Sequence, residues 1–69
     1  MKKVRKLTTE QKDLLIGKEF MEGVLFNPIE DADGNWFISN EEVNQYDEEE
    51  FNWIKDLSEI NYNPIKSKL

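Results

Sequence analysis

The sequence predicts a small α+β domain with a β-hairpin over about residues 24–39, a third, C-terminal extended segment, and one or two short helices. Three observations carry this. Two polar patterns, Thr8 with Gln11 and Ser39 with Glu42, have the spacing of helix capping boxes. The stretch from Val24 to Ser39 is rich in β-branched and aromatic residues and is broken once, by Asp31-Ala32-Asp33-Gly34-Asn35, a turn composition. The chain has 69 residues, enough for one domain with a thin core.

Residues 1–7 read as a basic N-terminal arm or a short edge strand, with residues 8–69 as the single domain. A helix is expected from about Thr9 to Ile16. Its cap is Thr8, its apolar stripe comes from Leu14, Leu15 and Leu7, and Gly17 is suited to the left-handed conformation that ends helices. Val24-Leu25-Phe26-Asn27-Pro28-Ile29-Glu30 follows as a strand, and Pro28 assigns it to a sheet edge or a bulge. The turn at Asp31–Asn35, with Gly34 left-handed in a three-residue loop, pairs Ile29 with Phe37 and Glu30 with Trp36. A second short helix begins after Ser39 and runs to about Gln45. Residues 51–57 fit two periods: Phe51, Ile54 and Leu57 suit a helix, Phe51 and Trp53 a strand. The strand is preferred. Ile60-Asn61-Tyr62-Asn63-Pro64-Ile65 is expected to be extended, because proline biases its predecessor away from helix.

Composition narrows the function. There is no cysteine and no histidine. Disulfides are thereby excluded, structural zinc loses its usual ligands, and Ser39, Ser58, Ser67, Thr8 and Thr9 have no imidazole to take a proton. Carboxylate pairs remain, but a chain this short has little material for a deep pocket around them. The expectation is a protein that is not an enzyme and holds no cofactor. The basic start is followed by Leu7-Thr8-Thr9-Glu10 rather than an apolar run, and no stretch approaches the roughly 18 apolar residues of a membrane span. A cytoplasmic or virion-associated protein, not a secreted one, is expected.

Charge is unevenly placed. The net charge is −6. Lys2, Lys3, Arg5 and Lys6 crowd one end, and Lys66 and Lys68 the other. Between residues 7 and 65, fifteen carboxylates face three lysines, twelve negative charges net. Such a body repels nucleic acid and membrane surfaces and attracts basic partners.

The twelve residues from Asp31 to Glu42 resemble the calcium loop of EF-hand proteins. The resemblance would make Asp31, Asp33, Asn35, the Phe37 carbonyl, Ser39 and Glu42 the ligands. Two departures oppose it. Trp36 stands where the family has glycine for a sharp turn, and Pro28 interrupts the helix that should enter the loop. A hairpin explains Asp31 and Gly34 without a metal, so none is assigned.

Phe26-Asn27-Pro28-Ile29 recurs as Tyr62-Asn63-Pro64-Ile65, and Asn35-Trp36 as Asn52-Trp53, in mirrored order. Two similar proline-marked edges imply a surface that pairs with another chain. The candidate interface is Lys2, Lys3, Arg5 and Lys6 of the arm with Phe26, Ile29, Tyr62 and Ile65. The aromatics, Phe20, Phe26, Trp36, Phe37, Tyr46, Phe51, Trp53 and Tyr62, are divided between core filling and interface anchoring. The lysine, asparagine and isoleucine content, with segments such as Phe26-Asn27-Pro28-Ile29-Glu30-Asp31, resembles small orphan proteins of bacteriophages with AT-rich genomes. That resemblance implies a particle component. The leading expectation is therefore a structural or protein-interaction module, partnered by itself or by a larger complex, with no direct nucleic acid and no membrane. One alternative is an acidic nucleic-acid mimic presenting Asp47, Glu48, Glu49, Glu50, Asp56 and Glu59 to a basic groove. A calcium-dependent module is the second alternative.

Overall fold

Local signals in the first third of the chain build what the sequence predicts and then add to it. The computed structural model describes residues 2–62. Strand β1, Lys2–Leu7, leads into helix α1, Thr9–Leu15. The Thr8 hydroxyl accepts from the Gln11 amide at 3.0 Å, and the Gln11 side chain accepts from the Thr8 amide at 2.9 Å, closing the capping box. Gly17, at φ 79°, turns the chain out of the helix. Leu15 and Leu7 are buried, but Leu14 is exposed. A helix this short buries one narrow stripe, and Leu14 lies a residue's rotation away from it.

The next element was not legible. Strands β2, Glu19–Met21, and β3, Val24–Leu25, form a separate two-stranded hairpin. Gly23, at φ 81°, makes the turn, and the register shifts between Glu19 and Met21. The extended stretch that begins at Val24 is thus split in two. Its first part pairs backwards with β2, and its second, β4, Ile29–Glu30, pairs forwards with β5, Trp36–Ser39. The β4–β5 register is the expected one, Ile29 with Phe37 and Glu30 with Trp36.

Helix α2, Asn40–Gln45, follows directly. The Ser39 hydroxyl accepts from Glu41 rather than from Glu42. Residues 51–57 form no strand. Asn52–Asp56 is a 3₁₀ helix, with Phe51 and Ile54 buried and Leu57 half-buried. A three-residue repeat sets these three on one side, whereas alternation would have turned Ile54 away from Phe51. Strand β6, Glu59–Tyr62, is the C-terminal extended segment. Its continuation, Asn63-Pro64-Ile65, lies outside the described residues.

The main sheet has the order β4-β5-β1-β6 and is antiparallel throughout. Residues 2–7 are therefore neither an arm nor an edge. Within them, β1 is an interior strand, pairing Arg5 with Ile38 on one side and with Glu59 on the other. Val4 and Leu7, both buried, are what the basic run conceals.

Alternation along β1 and β5 sends side chains to two faces. Leu7 and Ile38 point to the face covered by Leu15 of α1, Val43 of α2 and Ile54, and this forms the main core with Phe26, Tyr46 and Phe51. Val4 and Phe37 point the other way and form a second, smaller cluster against which Ile29 packs. Phe26, Tyr46 and Phe51 are buried in the main core, with Phe20, Trp36 and Trp53 packed against it. Phe26 stands 5.7 Å from Phe20, 5.6 Å from Tyr46 and 6.2 Å from Phe51, ring centre to ring centre. Among the described residues no helix is long and apolar enough to cross a membrane.

Candidate functional site

Placing each candidate residue separates those that hold the fold from those that face solvent. Arg5 belongs to the first group. Its Nε donates to Asn40 Oδ1 at 2.8 Å, and its Nη1 donates to the carbonyls of Lys55 and Leu57, both at 3.0 Å. One guanidinium thereby joins the central strand to the start of α2 and the end of the 3₁₀ helix. No sequence signal distinguishes this arginine from its basic neighbours. Phe26 is also internal, buried at the centre of the aromatic cluster, so its expected place at the interface is corrected to a place in the core. Its segment pairs back to the chain after α1, with the Phe26 amide donating to the Lys18 carbonyl at 2.8 Å.

Lys3, Lys6 and Ile29 remain at the surface or partly so. Lys3 Nζ lies 3.9 Å from Glu59 Oε1 on an exposed surface, a spacing that contributes little. Lys6 is exposed and pairs in register with Phe37. Ile29 is half-buried against Val4 and Phe37. Lys2 and Tyr62 stand opposite one another at the end of the β1–β6 ladder. Ile65 falls outside the described residues.

Register then joins several of these on one sheet face. Ile29 pairs with Phe37, Lys6 with Phe37, and Ile60 with Val4. The face turned away from the helices thus carries Ile29, Phe37, Lys6, Val4 and Ile60. Val4 is wholly buried there, while Ile60 beside it is 37% exposed. Ile60 lies on β6, which has a strand neighbour on one side only among the described residues.

The calcium-like residues are committed to other work. Asp31 Oδ1 accepts from the amides of Asp33 and Asn35, both at 2.9 Å, and the Gly34 amide reaches the Asp31 carbonyl at 3.2 Å. These are the bonds of an Asx-type turn. They hold the Asp31 carboxyl below the ordinary value of 3.8, chiefly through the Asn35 amide; partial desolvation opposes them. A strand, not a helix, enters the loop, and among the described residues no residue other than glycine takes positive φ. Ser39 caps α2, and Glu42 Oε1 accepts from the Asn27 amide at 3.1 Å, tying α2 to the β3–β4 connection. Among the described residues, no group of three or more acidic side chains is placed to hold a metal ion.

The acidic residues of the alternative reading are at the surface. Asp47, Glu48, Glu49 and Glu50 occupy the loop after α2, and Asp56 ends the 3₁₀ helix, all exposed. A cavity of about 470 Å³ lies where the hairpin turn meets the start of α1, lined by Lys6, Thr8, Trp36, Asp56 and Ser58 among others. The Thr8 hydroxyl there is already bonded to the Gln11 amide. Comparison with protein-family models, curated proteins and solved structures gave no match.

Proposed function

We propose that the chain is a non-enzymatic structural or protein-interaction module that self-associates or assembles onto a larger complex through its β6 edge. The observation that carries this reading is Ile60, an exposed isoleucine on the edge strand β6, paired with Val4 and diagonal to Lys6 on the same sheet face. An exposed edge offers a row of backbone donors and acceptors to another strand, and an apolar side chain beside it adds burial on contact. A phage particle is one assembly such a module would serve, as the compositional resemblance implies.

Analytical ultracentrifugation tests the proposal. The native chain is expected to sediment as a concentration-dependent oligomer. Ile60→Lys, which sets a charge on the edge, is expected to give a monomer with a nearly unchanged melting temperature. A native chain that stays monomeric at concentrations on the order of hundreds of micromolar and retains no partner would remove the reading.

A second reading, the acidic nucleic-acid mimic, is favoured by one observation. Asp47 to Glu50 and Asp56 stand exposed, and none is in an ion pair among the described residues. Its discriminator is competition: a mimic is displaced from its partner by DNA or RNA, while an edge-docked module is not.

A further inference from the structure

The β2–β3 hairpin carries a surface that the β6 edge does not explain. Its inward residue, Phe20, is half-buried against the aromatic core. Its outward residues are apolar and wet: Met21 is 45% exposed, Val24 44% and Leu25 53%. Register places Met21 beside Val24, so these two apolar side chains are cross-strand neighbours, while Leu25 pairs with Glu19 beyond the register shift. Two strands that cost three exposed apolar side chains gain little from forming alone.

A groove of about 530 Å³ runs between this hairpin and the end of α2. Phe20 and Met21 supply its apolar wall, and Glu19, Glu22, Asp47 and Glu48 supply its rim. All four carboxylates are exposed, and none is in an ion pair among the described residues. A smaller neighbouring hollow shares Glu19 and Glu48 and adds Glu50, with Lys18 as its single cation. The surface is thus apolar at its floor and negative around it.

The geometry points to this groove and the adjoining Met21–Val24 pair as the docking site for a short basic segment of a partner protein, one that alternates lysine or arginine with aliphatic residues. The inference rests on the protein-interaction reading and names the partner's chemistry. Charge complementarity selects the occupant. A second copy laid on the same face would set like carboxylates against one another, and a neutral apolar segment would bury the rim charges without compensation. A basic amphipathic segment satisfies both parts at once: its cations meet the rim and its aliphatic side chains cover Met21 and Val24.

The test follows backbone amides by NMR while the native chain is titrated with three synthetic peptides of equal length: alternating lysine and leucine, alternating lysine and serine, and alternating glutamate and leucine. The lysine–leucine peptide is expected to bind saturably, shifting Phe20, Met21, Val24, Leu25 and Gln45 to Glu48. The double variant Met21→Ser/Val24→Ser, at two exposed positions, is expected to weaken that binding at least about tenfold while its melting temperature holds. Glu22→Gln/Glu48→Gln is expected to weaken it and flatten its salt dependence. Equal binding by lysine–serine or glutamate–leucine overturns the proposal, as do shifts that spread over the acidic surface without centring on the hairpin. If the hairpin is silent but the chain still oligomerises in an Ile60-dependent way, the partner assignment fails and the interaction module stands. If the chain is also monomeric, both fail.

Discussion

Arg5 and Tyr46 show how much of this small fold hangs on single polar contacts. Tyr46 is 2% exposed, and its hydroxyl accepts from the Phe51 amide at 3.0 Å in the buried core. The bond fixes the loop that carries the acidic run and starts the 3₁₀ helix, which has no side-chain cap of its own. Tyr46→Phe keeps the ring and strands the amide, so it is expected to cost about 1–3 kcal/mol, read from denaturant melts. A loss near zero would mean that Phe51 finds another acceptor. Gly34 makes a different case. It sits at φ 85°, and a Cβ there would meet only Glu30 Oε2 at 3.9 Å, so space is not the constraint. Gly34→Val is expected to cost about 1–2 kcal/mol through backbone conformation alone. An unchanged melting temperature would show that the turn tolerates rearrangement. Arg5 could not have been recognised from sequence, because its three acceptors lie 35 to 52 residues away and two of them are backbone carbonyls.

At the scale of elements, what the sequence made legible was local. Thr8 with Gln11, Ser39 ahead of α2, and Asp31 with Gly34 are signals contained within a few residues, and each formed its cap or turn. The β4–β5 register followed from the turn. What stayed hidden was non-local. The basic run of β1 reads as a tail until Ile38 and Glu59 are known to flank Arg5. Deleting residues 1–6 therefore removes a central strand rather than a tether, and circular dichroism is expected to show loss of the cooperative melt. A truncated chain that melts like the native one would return these residues to an arm. The β2–β3 hairpin hid behind exposed apolar residues, which sequence patterning assigns to a core. The β4–β5 turn also carries a pH dependence. Asp31 is held below its ordinary value of 3.8 by amide donors, so the unfolded chain takes up its proton first on acidification. Its contribution is complete above the unfolded value and is lost as pH falls through the folded one. Thermal melts of native chain and Asp31→Asn are expected to differ near neutral pH and converge as the pH falls below 3.8 to the lower, folded value. A constant gap down to that pH would assign the turn's stability to something other than the charge. The same committed carboxylate underlies a further expectation: calcium titration near neutral pH yields no site tighter than about 10⁻⁴ M, and a micromolar site lost in Glu42→Gln would contradict it.

At the scale of the molecule, exposed apolar side chains stand in two different charge settings. Lys6 and Ile60 lie on the sheet face turned from the helices, while the hairpin groove is ringed by carboxylates. With a net charge of −6, two copies repel one another at long range whatever their edges offer. Salt therefore acts oppositely on the two readings of function. Edge pairing between copies gains from backbone bonds and from burial around Ile60, terms that salt leaves largely intact, while the repulsion it must overcome is screened. Raising ionic strength from about 0.01 M to about 0.15 M shortens the screening length from about 30 Å to about 8 Å, comparable with a molecule whose extents are 35 × 22 × 21 Å. Self-association followed by sedimentation equilibrium is thus expected to tighten over that range. An acidic mimic seated on a basic groove loses its main attraction over the same range, so its complex is expected to weaken. Self-association that weakens as salt is added would mean that opposite charges, not the β6 edge, hold the copies together, and the sheet-edge reading would give way.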